Sequence, residues 1–184
     1  MSKTESWMMA EIPGPTKAFV INNPRVVTAM LNRSKKPLLV VGQESAVEDF
    51  GDSKPIDYII DLAKRGKIPV VATAHTVRAF LERGFSSVTS MSLIEIGERL
   101  KDQEWKGIDG EGQHDLVILA GFPYYLSWLV LSGLKHFAKR GEKYLTTVSI
   151  DRYYQPHASW SLPNLSVDKW KENLKSILDE MEMK

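Results

Sequence analysis

No cysteine occurs among the 184 residues of this chain. That absence excludes disulfides, a thiol nucleophile, and any iron–sulfur cluster or zinc site built on the chain's own thiolates. It leaves the compartment open, because a chain without thiols is indifferent to redox conditions. An excess of one charge is also missing. The 24 Lys and Arg residues against 23 Asp and Glu leave a net charge of +1, which gives nucleic acid or anionic lipid no electrostatic hold. There is no long apolar run either. The most hydrophobic stretch, Leu116–Leu134, is broken by Gly121, Pro123, Ser127 and Ser132 and falls short of the roughly 20 continuous apolar residues of a membrane span. Residues 1–15 are mixed and polar, without the basic region and apolar run of a secretory signal, so cytoplasm is the expected location. The four histidines, His75, His114, His136 and His157, share no i,i+4 spacing and no H-E-x-x-H context. No metal site is expected on this chain. His75 is expected to help cap a helix, and the other three to lie at the surface or on a pocket rim.

What is present is ordinary globular material, 43% apolar and 26% charged, in a length that suits one sizeable core. The expectation is a single α/β domain over residues 1–184, with a lead-in at 1–17 and a C-terminal helix within 166–184. Four apolar runs read as strands: Pro37–Val41, Ile68–Ala72, Leu116–Ala120 and Leu145–Ile150. None alternates cleanly with polar residues, as expected of strands covered on both faces of a parallel sheet. Phe85–Thr89 is a weaker fifth candidate. Between them lie helical patterns with recognisable ends. Asn23–Pro24 opens the first, and Pro55 a second with Gly66 just past its end. A third runs from His75 or Thr76 to Arg83. Ser92 and Glu95 have capping-box spacing, Tyr124–Arg140 reads as one long helix, and Val167–Met183 as the last. The polar, Gly-rich stretch Trp105–His114 is expected to be an exposed loop. Strands alternating with helices predict a doubly wound, mainly parallel Rossmann-like sheet with helices on both faces.

In such a sheet ligands bind outside the carboxyl ends of the strands, where strand order reverses. Four loops are candidates there: Gly42-Gln43-Glu44-Ser45, Thr73-Ala74-His75, Gly121-Phe122-Pro123 and Asp151-Arg152. A glycine directly after a strand permits close approach to a phosphate; equally, Gly42 and Gly121 could merely turn the chain. The cofactor-site candidates are therefore Gly42, Gln43, Ser45, Thr73, Ala74, His75, Gly121, Phe122 and Asp151, the last placed near a ribose or ring edge. A valine at position 42 would then block a dinucleotide while leaving the fold largely intact. Against a tight site, there is no G-x-G-x-x-G, Glu44 would repel a pyrophosphate, and Thr73 stands where an NAD site usually has an acid. A hydrolytic constellation of Ser45, His75 and Asp151 is conceivable but lacks a G-x-S-x-G elbow. The aromatic residues cluster near the same edge: Tyr124, Tyr125 and Trp128, then Arg152, Tyr153, Tyr154, His157 and Trp160. Tyr, Trp and Arg dominate interface hot spots, so Tyr125, Trp128, Arg152, Tyr153, Tyr154, His157 and Trp160 are candidates for a partner surface; the alternative is that half of them pack the core.

The series K-P-L-L-V-V-G (Lys36–Gly42), G-K-I-P-V-V-A-T-A (Gly66–Ala74), H-D-L-V-I-L-A-G (His114–Gly121) and T-V-S-I-D (Thr147–Asp151) resembles the central domain of thiamine-diphosphate-dependent enzymes. That domain shares the NAD/FAD-binding superfamily of deoxyhypusine synthase and sirtuins. With the lead-in A-F-V-I-N-N-P-R (Ala18–Arg25), the chain is similar nearly end to end to the epsilon subunits of archaeal acetyl-CoA decarbonylase/synthase complexes. The resemblance implies a non-catalytic accessory subunit. Its partner would be a large nickel–iron–sulfur alpha subunit, in an α2ε2 carbon monoxide dehydrogenase component that oxidises CO to CO2. It implies stabilisation of that component or assistance to electron transfer to FAD, with no cofactor held tightly. A free-standing nucleotide- or flavin-binding protein and a hydrolase or transferase remain the alternatives, and self-association is left open. On this reading the purified chain carries no stoichiometric nickel, iron or acid-labile sulfide by elemental analysis; CO-dependent viologen reduction by the pure chain would contradict it.

Overall fold

Pro37–Val41 forms a strand in which Leu38 and Val40 point to one core and Leu39 and Val41 to another, all of them buried. That two-sided burial is why the run is continuously apolar. The computed structural model describes residues 16–140 and 143–182. In chain order the elements are β1 (Phe19–Val20), α1 (Arg25–Arg33), β2 (Pro37–Val41), α2 (Glu44–Val47), α3 (Pro55–Gly66), β3 (Val70–Ala72), α4 (Ala74–Glu82) and β4 (Val88–Ser90). There follow α5 (Leu93–Lys101), β5 (Leu116–Ala120), α6 (Tyr124–Phe137), β6 (Lys139–Arg140), β7 (Lys143–Tyr144), β8 (Thr146–Ser149), β9 (Trp160–Ser161) and α7 (Val167–Glu182). Seven strands make one all-parallel sheet in the order β1-β9-β8-β5-β2-β3-β4. This is a doubly wound α/β fold. α1, α3, α4 and α7 cover one face, and α5 and α6 the other.

The winding direction fixes where a site belongs. From β2 the chain steps outward to β3 and β4, then α5 leads back across to β5 on the opposite side of β2. Strand order therefore reverses between β2 and β5, whose registers match Leu39 with Ile118 and Val41 with Ala120. The crevice of a doubly wound sheet lies at their carboxyl ends.

Several local expectations hold to within a residue or two. Ser92 Oγ accepts from Glu95 N–H at 3.1 Å, and α3 opens at Pro55, where the structure adds a bond from Lys54 N–H to Asp57 Oδ2 at 2.8 Å. Others are corrected. The expected helix 124–140 stops at Phe137, because buried Ala138 leaves helical geometry and its carbonyl accepts from Leu145 N–H at 2.8 Å, closing an antiparallel β6–β7 hairpin. The loop 105–114 is not simply exposed: Trp105 and Ile108 pack on the second core, and His114 is 1% exposed, its Nδ1 beside Lys36 O at 3.2 Å. The left-handed residue ending α3 is Lys67 rather than Gly66. Strands β1 and β9, two residues each, carry no pattern in the sequence. Among the described residues no helix is long and apolar enough to cross a membrane.

Trp170 anchors α7 to the sheet. Its indole N–H donates to Ile150 O at 2.8 Å, its ring meets Phe50 edge-on at 5.2 Å, and it is 2% exposed. Trp170→Phe is expected to remove the bond and leave a small void, destabilising the fold by about 2 kcal/mol and lowering Tm by roughly 4–8 °C. Thermal unfolding followed by circular dichroism checks this; an unchanged Tm would contradict the anchoring role.

Candidate functional site: the crevice at the strand reversal

At the carboxyl ends of β2 and β5 the two loops meet backbone to backbone. A Cβ on Gly42 would stand 2.2 Å from Gly121 O and 2.5 Å from the Phe122 ring, so only glycine fits. Gly121 has φ +77°, and a Cβ there would lie 2.6 Å from Ser45, so glycine is needed for both reasons. The approach is sealed by hydrogen bonds. Gly42 N–H donates to Ala120 O at 2.8 Å, Glu44 N–H to Gly121 O at 2.9 Å, and the Ser45 hydroxyl to Gly42 O at 2.7 Å. From the end of β8, Asp151 Oδ1 accepts from Gly121 N–H at 2.5 Å, and the neighbouring Phe122 N–H dipole also favours the charged carboxylate.

Around this seam Glu44, Glu48, Tyr124, Asp151, Arg152, Tyr153, Gln155 and Trp170 close a cavity of about 20 Å³. Asp151 is 7% exposed. Burial, reinforced by the charge on Glu44, pushes its carboxyl up to about 7 against the pull of the two backbone N–H groups. Glu44 is itself raised, first by burial and then by Glu48. Arg152 is the cation of the group, with Nη1 3.9 Å from Glu48 and its guanidinium 4.8 Å from the Tyr153 ring centre.

A dinucleotide does not fit this crevice. The N–H groups of Gly42, Glu44, Ser45 and Gly121 already have protein acceptors. The space is small, about 20 Å³, and three carboxyl groups face it. Of the expected cofactor residues, Gly121, Phe122 and Asp151 line the cavity, with Gly42 and Ser45 directly behind. Gln43 is exposed beside it, while Thr73, Ala74 and His75 stand off at the end of β3 and the start of α4. Asp151 holds backbone N–H groups rather than facing a ribose. A valine at position 42 would disrupt the seam itself, contrary to the sequence expectation. Ser45, buried and bonded to Gly42 O, and exposed His75 form no nucleophile–base pair.

The aromatic candidates divide. Tyr125 and Tyr153 are 72% and 48% exposed. Trp128 is half-buried, edge-on to His157 at 4.5 Å. Tyr154 lies inside, its hydroxyl donating to Ala18 O at 2.8 Å, and His157 is buried too, which corrects their expected exposure. Trp160 is held in β9 and covered on one side by Phe19, ring centres 4.9 Å apart. Sequence reasoning missed Glu48, Gln155 and Trp170 in the crevice. Among the described residues, no group of three or more His, Asp or Glu side chains is placed to hold a metal ion.

Residues 2–181 match the family described as CO dehydrogenase beta subunit/acetyl-CoA synthase epsilon subunit. The chain is 41% identical over 162 residues to acetyl-CoA decarbonylase/synthase complex subunit epsilon 1 of Archaeoglobus fulgidus, covering 86% of this chain and 82% of that protein. It is 36% identical over 174 residues to the subunit epsilon of Methanothermobacter thermautotrophicus, covering 95% and 94%. To the subunit epsilon of Methanothrix soehngenii it is 40% identical over 159 residues, covering 86% and 80%.

The Asp151 carboxyl gives the crevice a pH signature. Its folded value of about 7 lies above the ordinary 3.8, so between those values the native state holds a proton that the unfolded state has lost. Its contribution to stability therefore falls as pH rises through that window and levels off above it. Asp151→Asn keeps an acceptor for Gly121 N–H without titrating. The Tm of wild type minus that of the variant is expected to shrink between about pH 4 and pH 7; a difference independent of pH would contradict the assignment.

Proposed function

The chain belongs to the family of CO dehydrogenase beta subunits and acetyl-CoA synthase epsilon subunits, and from that premise we propose that it is a non-catalytic accessory subunit of an acetyl-CoA decarbonylase/synthase complex. It docks on a larger, metal-bearing alpha subunit, as an α2ε2 carbon monoxide dehydrogenase component, and stabilises it. The metals that oxidise CO to CO2 reside on that partner. The observation that carries this reading is the rim of the crevice. Tyr124 and Tyr153, exposed at 37% and 48%, line the crevice, and Tyr125, 72% exposed, adjoins Tyr124 at the start of α6. Tyrosines with few rotatable bonds lose little entropy on docking. Tyr153 is further braced by Arg152 beneath it. Leu129 and Phe137, at 56% and 66% exposure, extend the apolar surface along α6.

The same seam supports the non-catalytic part of the reading. No activated nucleophile stands at the strand reversal, and the backbone donors that would grip a pyrophosphate are taken. We assign the chain no tightly bound dinucleotide and no electron-transfer step through flavin. Its role is mechanical: a stiff sheet edge that presents aromatic rings.

Tyr125→Ala and Tyr153→Ala are expected to leave Tm nearly unchanged and to weaken association with the large subunit by about 2 kcal/mol or more together, the hot-spot range. Tyr154→Ala, which opens the core, is expected to lower Tm instead. Calorimetric titration against the purified large subunit, run beside thermal unfolding, separates the two. Full affinity in the Tyr125 and Tyr153 variants would remove this rim as the docking surface.

A further inference from the structure

Among the described residues, three buried polar atoms at the crevice have no hydrogen-bond partner: Asp151 Oδ2, Arg152 Nε and Gln155 Oε1. All three residues line the same cavity of about 20 Å³. Asp151 and Gln155 are 7% and 1% exposed, so bulk solvent does not serve them. Their other groups are committed elsewhere. Asp151 Oδ1 holds Gly121 N–H, Gln155 Nε2 donates to Tyr124 O at 3.2 Å, and the end of the Arg152 guanidinium faces Glu48 and the Tyr153 ring. Buried polar groups in native folds are paired almost without exception, and three orphans around one space point to a shared partner.

We infer that this space binds a single ordered water molecule, which accepts from Arg152 Nε–H and donates to Asp151 Oδ2 and Gln155 Oε1. The volume allows it, since a water needs at least roughly 10–15 Å³ and two to four polar partners. An ammonium ion, a partner's lysine tip or a metal cation would suit the two oxygens but would face Arg152 with a second positive charge. A halide would suit Arg152 and repel both oxygens. Water alone meets one donor and two acceptors.

Water also suits both states of the carboxyl. Against ionised Asp151 it accepts once and donates twice. Against protonated Asp151 it accepts from Oδ2–H and from Arg152 and donates to Gln155. Both sets lie within its two donors and two acceptors. The other ionisable groups lining the cavity are Glu44, Glu48, Tyr124 and Tyr153, and none of them replaces the missing partner in either state. Placed there, the water ties the end of β8 to the corner at Gln155. It also gives a buried carboxyl a protic neighbour, so the proton exchanges without parting the Gly42–Gly121 contact. The site belongs to the chain itself, whether or not the rim docks a larger subunit.

High-resolution crystals of the full chain, held below and above the titration of Asp151, test this directly. The expected result is one isolated solvent peak within hydrogen-bonding distance of Arg152 Nε, Asp151 Oδ2 and Gln155 Oε1 at both pH values. Direct contact of Asp151 Oδ2 with Gln155 Oε1 and no peak would overturn the assignment. So would a peak at one pH only, or an ion identified by anomalous scattering. In solution, the Arg152 Hε proton is expected to show a cross-relaxation peak with water that is lost in Gln155→Met. Persistence of that peak in the folded variant would equally overturn it, and the wild-type crystals decide the matter should the variant not fold.

Discussion

The contact between Gly42 and Gly121, locked by the carboxyl of Asp151, is the constraint on which the rest of this molecule turns. Parallel strands leave their carboxyl-end donors facing outward where the winding reverses, and in many folds of this class a ligand answers them. Here the chain answers them itself. Glu44 N–H reaches Gly121 O, Gly121 N–H reaches Asp151, and Gly42 N–H reaches Ala120 O. The closure works only because neither glycine carries a Cβ and because Gly121 adopts a positive φ.

A closed crevice changes what the surrounding residues are for. Asp151 and Glu44, in the position of groups that would address a nucleotide, become an acidic pair, the first buried and the second half-buried, each with its carboxyl pushed up by burial and by a neighbouring carboxylate. On the proposed function, the closure of the seam serves rigidity rather than ligand capture. Rigidity suits a docking edge, because rings fixed before association lose less freedom on binding. Tyr125 and Tyr153 stand out from a frame that has little left to rearrange.

Much of this architecture was legible in the amino-acid order. β2 and β5 announce themselves because both faces are covered, which leaves no polar positions to blur the run. Helix starts at Pro55 and Ser92 carried their caps in plain view. β1 and β9 were invisible for the opposite reason. Each is two residues long, and Phe19–Val20 pairs with Trp160–Ser161 through backbone groups that no side-chain pattern encodes. The hairpin after Phe137 was hidden by residues that suit a helix, and it forms because Ala138 is drawn into the core and pairs with Leu145. At the crevice, Gly42, Gly121 and Asp151 were readable as a group from their positions after strands. Their engagement with one another was not, since spacing cannot tell a donor left open from one already used. Tyr154, His114 and His157 were placed outside by chemistry that favours surfaces; tertiary contacts from Ala18, Lys36 and Trp128 draw them in.

On the proposed function, this chain is a closed-crevice docking subunit rather than a nucleotide-binding protein in its own right. Native mass spectrometry of the chain isolated from its own cells, without added cofactor, tests that most directly. The expected result is a complex with a much larger, metal-containing subunit at equal stoichiometry, from which the chain dissociates with no flavin or nucleotide mass attached. A chain that travels alone and carries a stoichiometric dinucleotide would contradict it.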